Sequence, residues 1–219
     1  MGDISILIRN MENKKYLHIV AHYEACLAKY GDTHLGVDWP CQRDAAVRYQ
    51  VMLDVIKPFA NTRVSLLDFG CGASHLFDFI LQNKLSHIDY SGLDLSEKYI
   101  ELSWQKYPSV KYYCMDILDS SDHLPEFDYI VMNGVFTEKI DLVFDEMYSY
   151  FTRLIIRIFS NVKIGLAFNV MSSHVDLERV DLFHLPFDLL ADFLSRELTR
   201  NFVFRNDYGL YEYTTYVYK

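Results

Sequence analysis

The sequence predicts an α/β fold, and three observations carry that reading. From residue 64 onward short apolar strands alternate with amphipathic helices. A glycine-rich turn joins the first strand to the helix after it, and the chain closes on a β-hairpin pattern. Such alternation builds a mostly parallel sheet with helices packed on its faces.

Before the first strand, residues 11 to 30 and 41 to 57 read as helical. In the second stretch Ala45, Val47, Met52, Leu53 and Ile56 offer an apolar face, and Pro58 ends it. Val64 to Phe69 is an apolar run of the kind buried on both sides of a sheet. It passes through Asp68 into Gly70-Cys71-Gly72 and on to the helix SHLFDFILQ, with Ser74 as its expected cap. His87 to Asp94 reads as a second strand. Ser96 is placed to cap the helix that follows it, and Val110 to Met115 reads as a third strand running into Asp116. Phe127 to Phe136 reads as the fourth strand, Asp141 to Phe159 as a long amphipathic helix, Ile164 to Val170 as the fifth strand, and Pro186 to Arg200 as another helix. Phe202 to Arg205 and Leu210 to Tyr218, parted by Asn206-Asp207-Tyr208-Gly209, complete a hairpin whose alternation suits a place near the sheet edge.

A ligand at the Asp68-Phe69-Gly70-Cys71-Gly72 turn meets backbone approached without side-chain obstruction and the free N–H groups of a helix start. The third glycine of the dinucleotide fingerprint is absent, because His75 holds its place, which weakens a nicotinamide reading. Asp-x-Gly-x-Gly at Asp68 to Gly72 resembles the first motif of the class I S-adenosylmethionine (SAM)-dependent methyltransferases. Asp94 lies about twenty residues past the glycines, where a carboxylate can accept hydrogen bonds from a ribose diol. "FDYIV" at Phe127 to Val131 matches the start of the family's fourth motif, and the terminal hairpin matches its antiparallel last strand.

The resemblance covers roughly residues 60 to 219. It implies a Rossmann-like seven-stranded sheet with an antiparallel C-terminal strand, and the helical pattern before that region reads as an N-terminal helical extension and lid over residues 1–59. The SAM-binding methyltransferase domain then spans 60–219, the two parts forming one structural unit. It further implies a cofactor site drawn from Asp68, Gly70, Cys71, Gly72, Asp94, Leu95, Asp116, Ile117 and Asn133, with Asp116 beside the adenine amino group and Asn133 near the transferred methyl. Trp39 is a candidate cover for the methionine end, and Arg48 a candidate partner for the SAM carboxylate. A competing fate for each is an anchor of the loop to the core for Trp39 and a helix-surface ion pair for Arg48.

Methyl transfer to a hydroxyl needs a base. His174, on the loop after the fifth strand, is the leading candidate, with Asp176 as its partner. His34 and Asp38, beside Trp39 in a turn-rich loop, are candidates to touch substrate. The expected function is methylation of an oxygen or nitrogen on a small or medium-sized acceptor, a glycan or specialised metabolite among them. An NAD-dependent oxidoreductase and a noncatalytic SAM-fold partner subunit are the competing classes, and a homodimer is allowed.

Acidic residues exceed basic ones by 30 to 21, a net charge of -9, and no basic run is longer than Lys14-Lys15, so nucleic acid is not an expected partner. Cys26, Cys41, Cys71 and Cys114 are scattered without metal-ligand spacing, so no metal is expected and the thiols read as reduced. The apolar patch near the N-terminus, broken by Asp3 and Arg9, is too short for a signal-peptide core or a membrane span. The expected location is cytoplasmic.

Overall fold

The computed structural model describes residues 14–57, 63–119 and 123–219. The apolar patch read within residues 1–13, Pro58, and the boundary drawn between residues 59 and 60 lie outside the described residues. The strands are β1 (Val64–Phe69), β2 (Ile88–Asp94), β3 (Lys111–Cys114), β4 (Phe127–Phe136), β5 (Val162–Met171), β6 (Phe202–Arg205) and β7 (Glu212–Tyr218). They form one seven-stranded sheet in the order β3-β2-β1-β4-β5-β7-β6. The first five pair in parallel, and β7 runs antiparallel to both β5 and β6. The chain therefore has the Rossmann-like sheet with an antiparallel C-terminal strand.

From β1 the chain winds outward through β2 and β3, then crosses back to lay β4 on the other side of β1. That reversal leaves a crevice at the carboxyl ends of β1 and β4, the place where open α/β sheets bind ligands. β7 lies second from the edge and is buried along its whole length, because β5 and β6 flank it.

Helices α1 (Leu17–Tyr30), α2 (Gln42–Leu53), α3 (His75–Gln82), α4 (Glu97–Lys106), α5 (Phe144–Phe159) and α6 (Phe187–Glu197) complete the described chain. One core cluster packs α5 and α6 on the sheet. Phe151 meets Phe136 and Phe168 edge-on there, with ring centroids 4.8 and 5.4 Å apart. A second cluster joins α2 and α3 to Leu66, Val131, Tyr129 and Tyr216.

Three local expectations need correction. Ser74 does not cap α3: it sits at φ +60, outside the extended conformation a capping residue adopts, and its hydroxyl meets that of Tyr112 at 2.9 Å instead. Val47 is exposed rather than part of the α2 face, since two residues along a helix is about 200° around it from Ala45. The long helix begins at Phe144, not Asp141. Ile140 lies at φ +54, and the Asp141 carboxylate pairs with His18 at 3.0 Å. Ser96 is placed as expected, its Oγ accepting from the N–H of Tyr99 at 3.5 Å. No helix among the described residues is long and apolar enough to cross a membrane.

Candidate active site

A cleft with about 980 Å³ of empty space, its open mouth included, lies at the carboxyl ends of β1, β2 and β4. Its floor is Asp68, Gly70, Cys71, Gly72, Asp94, Leu95, Asn133 and Gly134. Its roof is Tyr16, Ile19 and Tyr23, before and along α1, with Val37 and Trp39 of the loop between α1 and α2.

The floor is made by strand ends and the turns they enter. Gly70 stands at φ +75, where an added Cβ would come within 2.6 Å of the Val135 side chain, so only glycine fits. Gly72, at φ +49, donates its N–H to Asp94 Oδ2 at 2.9 Å, and Ser96 donates to Oδ1 at 2.9 Å. Burial pushes the Asp94 carboxyl up despite those two donors. Asp68 is 3 % exposed, and its carboxylate accepts the Tyr90 hydroxyl at 2.8 Å. Burial, with the Asp94 charge adding to it, pushes Asp68 up to about 7, and the Tyr90 hydrogen bond only partly opposes this. Asn133 Oδ1 is buried without a hydrogen-bond partner among the described residues. Two acceptors that face the same cleft and lack a cation suit a ligand carrying an ammonium group, because a buried acceptor left unpaired is costly. The first-turn N–H groups of α3, unpaired within the helix, lie at His75 and Leu76 on the same cleft and suit a carboxylate.

The roof is fastened by contacts of long sequence range. The Tyr23 hydroxyl donates to Gly134 O at 3.2 Å, and that of Tyr99 to Gly36 O at 2.6 Å. Asp32 of the loop meets His75 at 2.7 Å and Lys106 at 3.0 Å. A buried chain of polar groups backs Trp39: Gly134 N–H donates to Asn169 Oδ1, Asn169 Nδ2 to Glu212 Oε1 at 3.0 Å, and Arg48 Nε to Glu212 Oε2 at 2.9 Å. The Arg48 guanidinium lies 5.0 Å from the Trp39 ring centre.

Of the residues singled out from sequence, Asp68, Gly70, Cys71, Gly72, Asp94, Leu95, Asn133 and Trp39 all line this cleft. The others do not. Arg48 is held behind Trp39 by Glu212, a nearly fully buried acceptor that requires a cation. Asp116 accepts the Tyr16 hydroxyl at 2.6 Å and the Leu118 N–H at 3.0 Å, and Ile117 is part of the core. His34 Nδ1 is engaged with Trp39 O at 2.6 Å. His174 is exposed and stacks on Phe187, with Asp176 exposed two residues on. The sequence reading missed Tyr16, Tyr23, Tyr99 and Tyr150 as lining groups, and it missed Glu138, whose carboxyl burial and the Asp38 charge push up to about 7. Their aromatic and acidic types alone carry no address, since Tyr16 and Tyr23 reach the cleft through the docking of α1, Tyr99 through α4 and Tyr150 through α5.

A parallel sheet with one antiparallel strand, and an acidic glycine cradle at its switch point, are those of a Rossmann-like fold with a ligand cleft at the strand ends. Residues 67–152 match the family described as a methyltransferase domain. The methyltransferase homologue Rv1506c of Mycobacterium tuberculosis is 26% identical over 160 residues, covering 71% of this chain and 93% of its own. Among solved structures, the plantazolicin methyltransferase BpumL, in complex with S-adenosylhomocysteine (SAH) and a monoazolic desmethylPZN analog, superposes with a TM-score of 0.62. Identity is 15%, with 100% of this chain and 99% of that one covered. Human N-acetylserotonin methyltransferase in complex with SAM gives 0.58 at 14% identity and covers all of this chain, which spans 59% of that protein, less than two thirds of its length. At such identities the structural likeness carries the fold, and the sequence matches point to a methyltransferase domain. Together these matches support a class I SAM-dependent methyltransferase, with SAM as the cofactor that such a domain uses.

Proposed function

We propose that the cleft binds SAM with its methionine end against Asp68, Gly70, Cys71, Gly72 and Asn133 and its ribose on Asp94, and that the chain methylates an oxygen or nitrogen of a small or medium-sized acceptor. The observation that carries the site assignment is the pair of buried, cation-free acceptors, Asp68 and Asn133 Oδ1. The methionine ammonium satisfies both, and its positive charge holds Asp68 ionised. Tyr16 and Tyr150, stacked 4.6 Å apart in the cleft, wall the adenine end, with Asp116 behind Tyr16.

Bound SAM supplies an electrophilic methyl group on its sulfonium. The chain's part is to align the acceptor with it, exclude water and let a proton leave. Tyr23, Val37 and Trp39 cover the cleft, so α1 and the loop after it act as the lid. His174 with Asp176 serves as base only for an acceptor long enough to extend over the loop after β5, because neither residue lines the cleft. A sugar or another hydroxylated or aminated metabolite, stacked on the roof aromatics, is the acceptor class we favour.

Isothermal titration with SAM, SAH and NAD tests the assignment. Micromolar binding of the first two and none of NAD is expected; binding of NAD alone would overturn it.

A further inference from the structure

A second group of donor atoms sits on the roof, outside the cofactor cleft. His22 and Cys26 are four residues apart on α1 and so share one face of it. The loop between α1 and α2 brings Asp38 to that face at φ +57, a left-handed conformation that side-chain-bearing residues seldom adopt. His22 Nε2 lies 2.7 Å from Asp38 Oδ2 and 3.8 Å from Cys26 Sγ, and the three donor atoms all fall within 4.8 Å of one another. All three residues are half-buried, so the group is screened yet open to an arriving ion.

We propose that His22, Cys26 and Asp38 form a binding site for a divalent transition-metal ion of the zinc class, with a fourth position left for water or an acceptor. One nitrogen, one sulfur and one oxygen donor converge here, the mixture that suits zinc or its neighbours. The thiolate disfavours magnesium and calcium, which prefer all-oxygen shells. Around a tetrahedral ion, bonds of about 2.0–2.3 Å place donor atoms roughly 3.3–3.8 Å apart. The sulfur–nitrogen separation already matches. The shorter His22–Asp38 contact is a hydrogen bond that opens by under an ångström when an ion replaces its proton.

The site's neighbours give it a consequence. Val37 and Trp39, on either side of Asp38, line the cleft, as does Tyr23, next to His22. An ion held by both segments would therefore fasten the loop to α1 and set the lid over the cofactor. The binding claim is independent of the proposed SAM contacts, so the two can fail separately.

The test uses the full chain, stripped with a chelator and titrated with zinc by calorimetry and with cobalt(II) by absorption. One equivalent of each should bind, with a thiolate-to-cobalt charge-transfer band in the near ultraviolet. Cys26→Ser should erase that band and weaken zinc by about 10-fold or more, and Asp38→Asn should weaken zinc in the same range. Cys114→Ser, at an exposed thiol of β3, should change neither. No band in the wild-type protein, a band that survives Cys26→Ser, or zinc binding equal in wild type and Cys26→Ser would each overturn the site. Because the wild-type spectrum is itself decisive, a variant that fails to fold leaves the test intact. SAM titration of each folded variant reports separately on the cofactor cleft.

Discussion

The floor and the roof of the cleft satisfy their polar groups in opposite ways. Two floor acceptors are left short among the described residues, unlike the doubly bonded Asp94: Asp68 has the Tyr90 hydroxyl as its hydrogen-bond donor, and Asn133 Oδ1 has none. Roof groups are paired within the protein, as in His22 with Asp38, Asp32 with His75 and Lys106, and Arg48 with Glu212. Unpaired acceptors cost folding free energy that a ligand returns, so the floor is specialised to bind. Paired groups hold a shape, so the roof is specialised to position.

Gly72→Asp should break the floor most completely. It forces a side chain onto a residue at φ +49, with its Cβ 3.5 Å from Val37, and adds a third carboxylate to the cleft. Loss of all calorimetric SAM binding with a folded circular-dichroism spectrum is the expected result.

Glu212→Ala is the matching lesion of the roof. It strands the half-buried Arg48 guanidinium and should cost about 3 kcal/mol in urea unfolding. SAM affinity should fall less than for Gly72→Asp, because the floor is intact.

Asp68→Asn should weaken SAM by about 10- to 100-fold, the loss of a charged hydrogen bond worth about 1.5–3 kcal/mol. The sign for stability is opposite. A carboxyl raised from its ordinary value to about 7 binds more protons folded than unfolded between those two values, so apo-protein stability falls as pH rises through that window. The asparagine variant should therefore be the more stable apo-protein at pH 8, while losing its advantage in acid. Wild-type SAM affinity should rise with pH up to about 7 and then level off, and in Asp68→Asn that rise should vanish. A pH-independent wild-type affinity would remove Asp68 from the ammonium site.

His174→Ala gives the smallest effect. The exposed ring contacts Phe187 and does not line the cleft, so SAM affinity and stability should stay within about 0.5 kcal/mol of wild type. A large fall in turnover at unchanged SAM affinity would show that the acceptor does reach the loop after β5.

The floor was legible in the sequence because its instructions are local. Strand, acidic residue, glycine turn and helix start follow one another from Val64 to Leu76, and Asp94 and Asn133 lie at strand ends that the alternation already marks. The roof was not legible, because each of its contacts depends on docking. Tyr23 meets Gly134 across 111 residues, and Arg48 meets Glu212 across 164. Arg48 was open to the cofactor or to an ion pair at the helix surface, and its partner is the buried Glu212, because a sequence does not reveal which carboxylate will reach a cation first. For Trp39 the sequence left two fates open, an anchor of the loop to the core and a cover of the cofactor, and docking of the loop puts the ring on the cleft. Ser74 misled because capping propensity presumes an extended backbone, and the left-handed turn at that residue is set by the glycines before it.

The polar chain from Gly134 through Asn169 and Glu212 to Arg48 has a consequence for synthesis of the protein on the ribosome. Glu212 opens β7, yet it secures a side chain in α2, translated long before. The nascent polypeptide can assemble β1 to β5 and the glycine cradle while Arg48 still waits for its counter-ion. Trp39 gains its backing only when β7 slides between β5 and β6. Nascent chains halted before residue 212 would thus hold a roof fastened by Tyr23, Tyr99 and Asp32 while Trp39 still lacked the backing of Arg48 and Glu212.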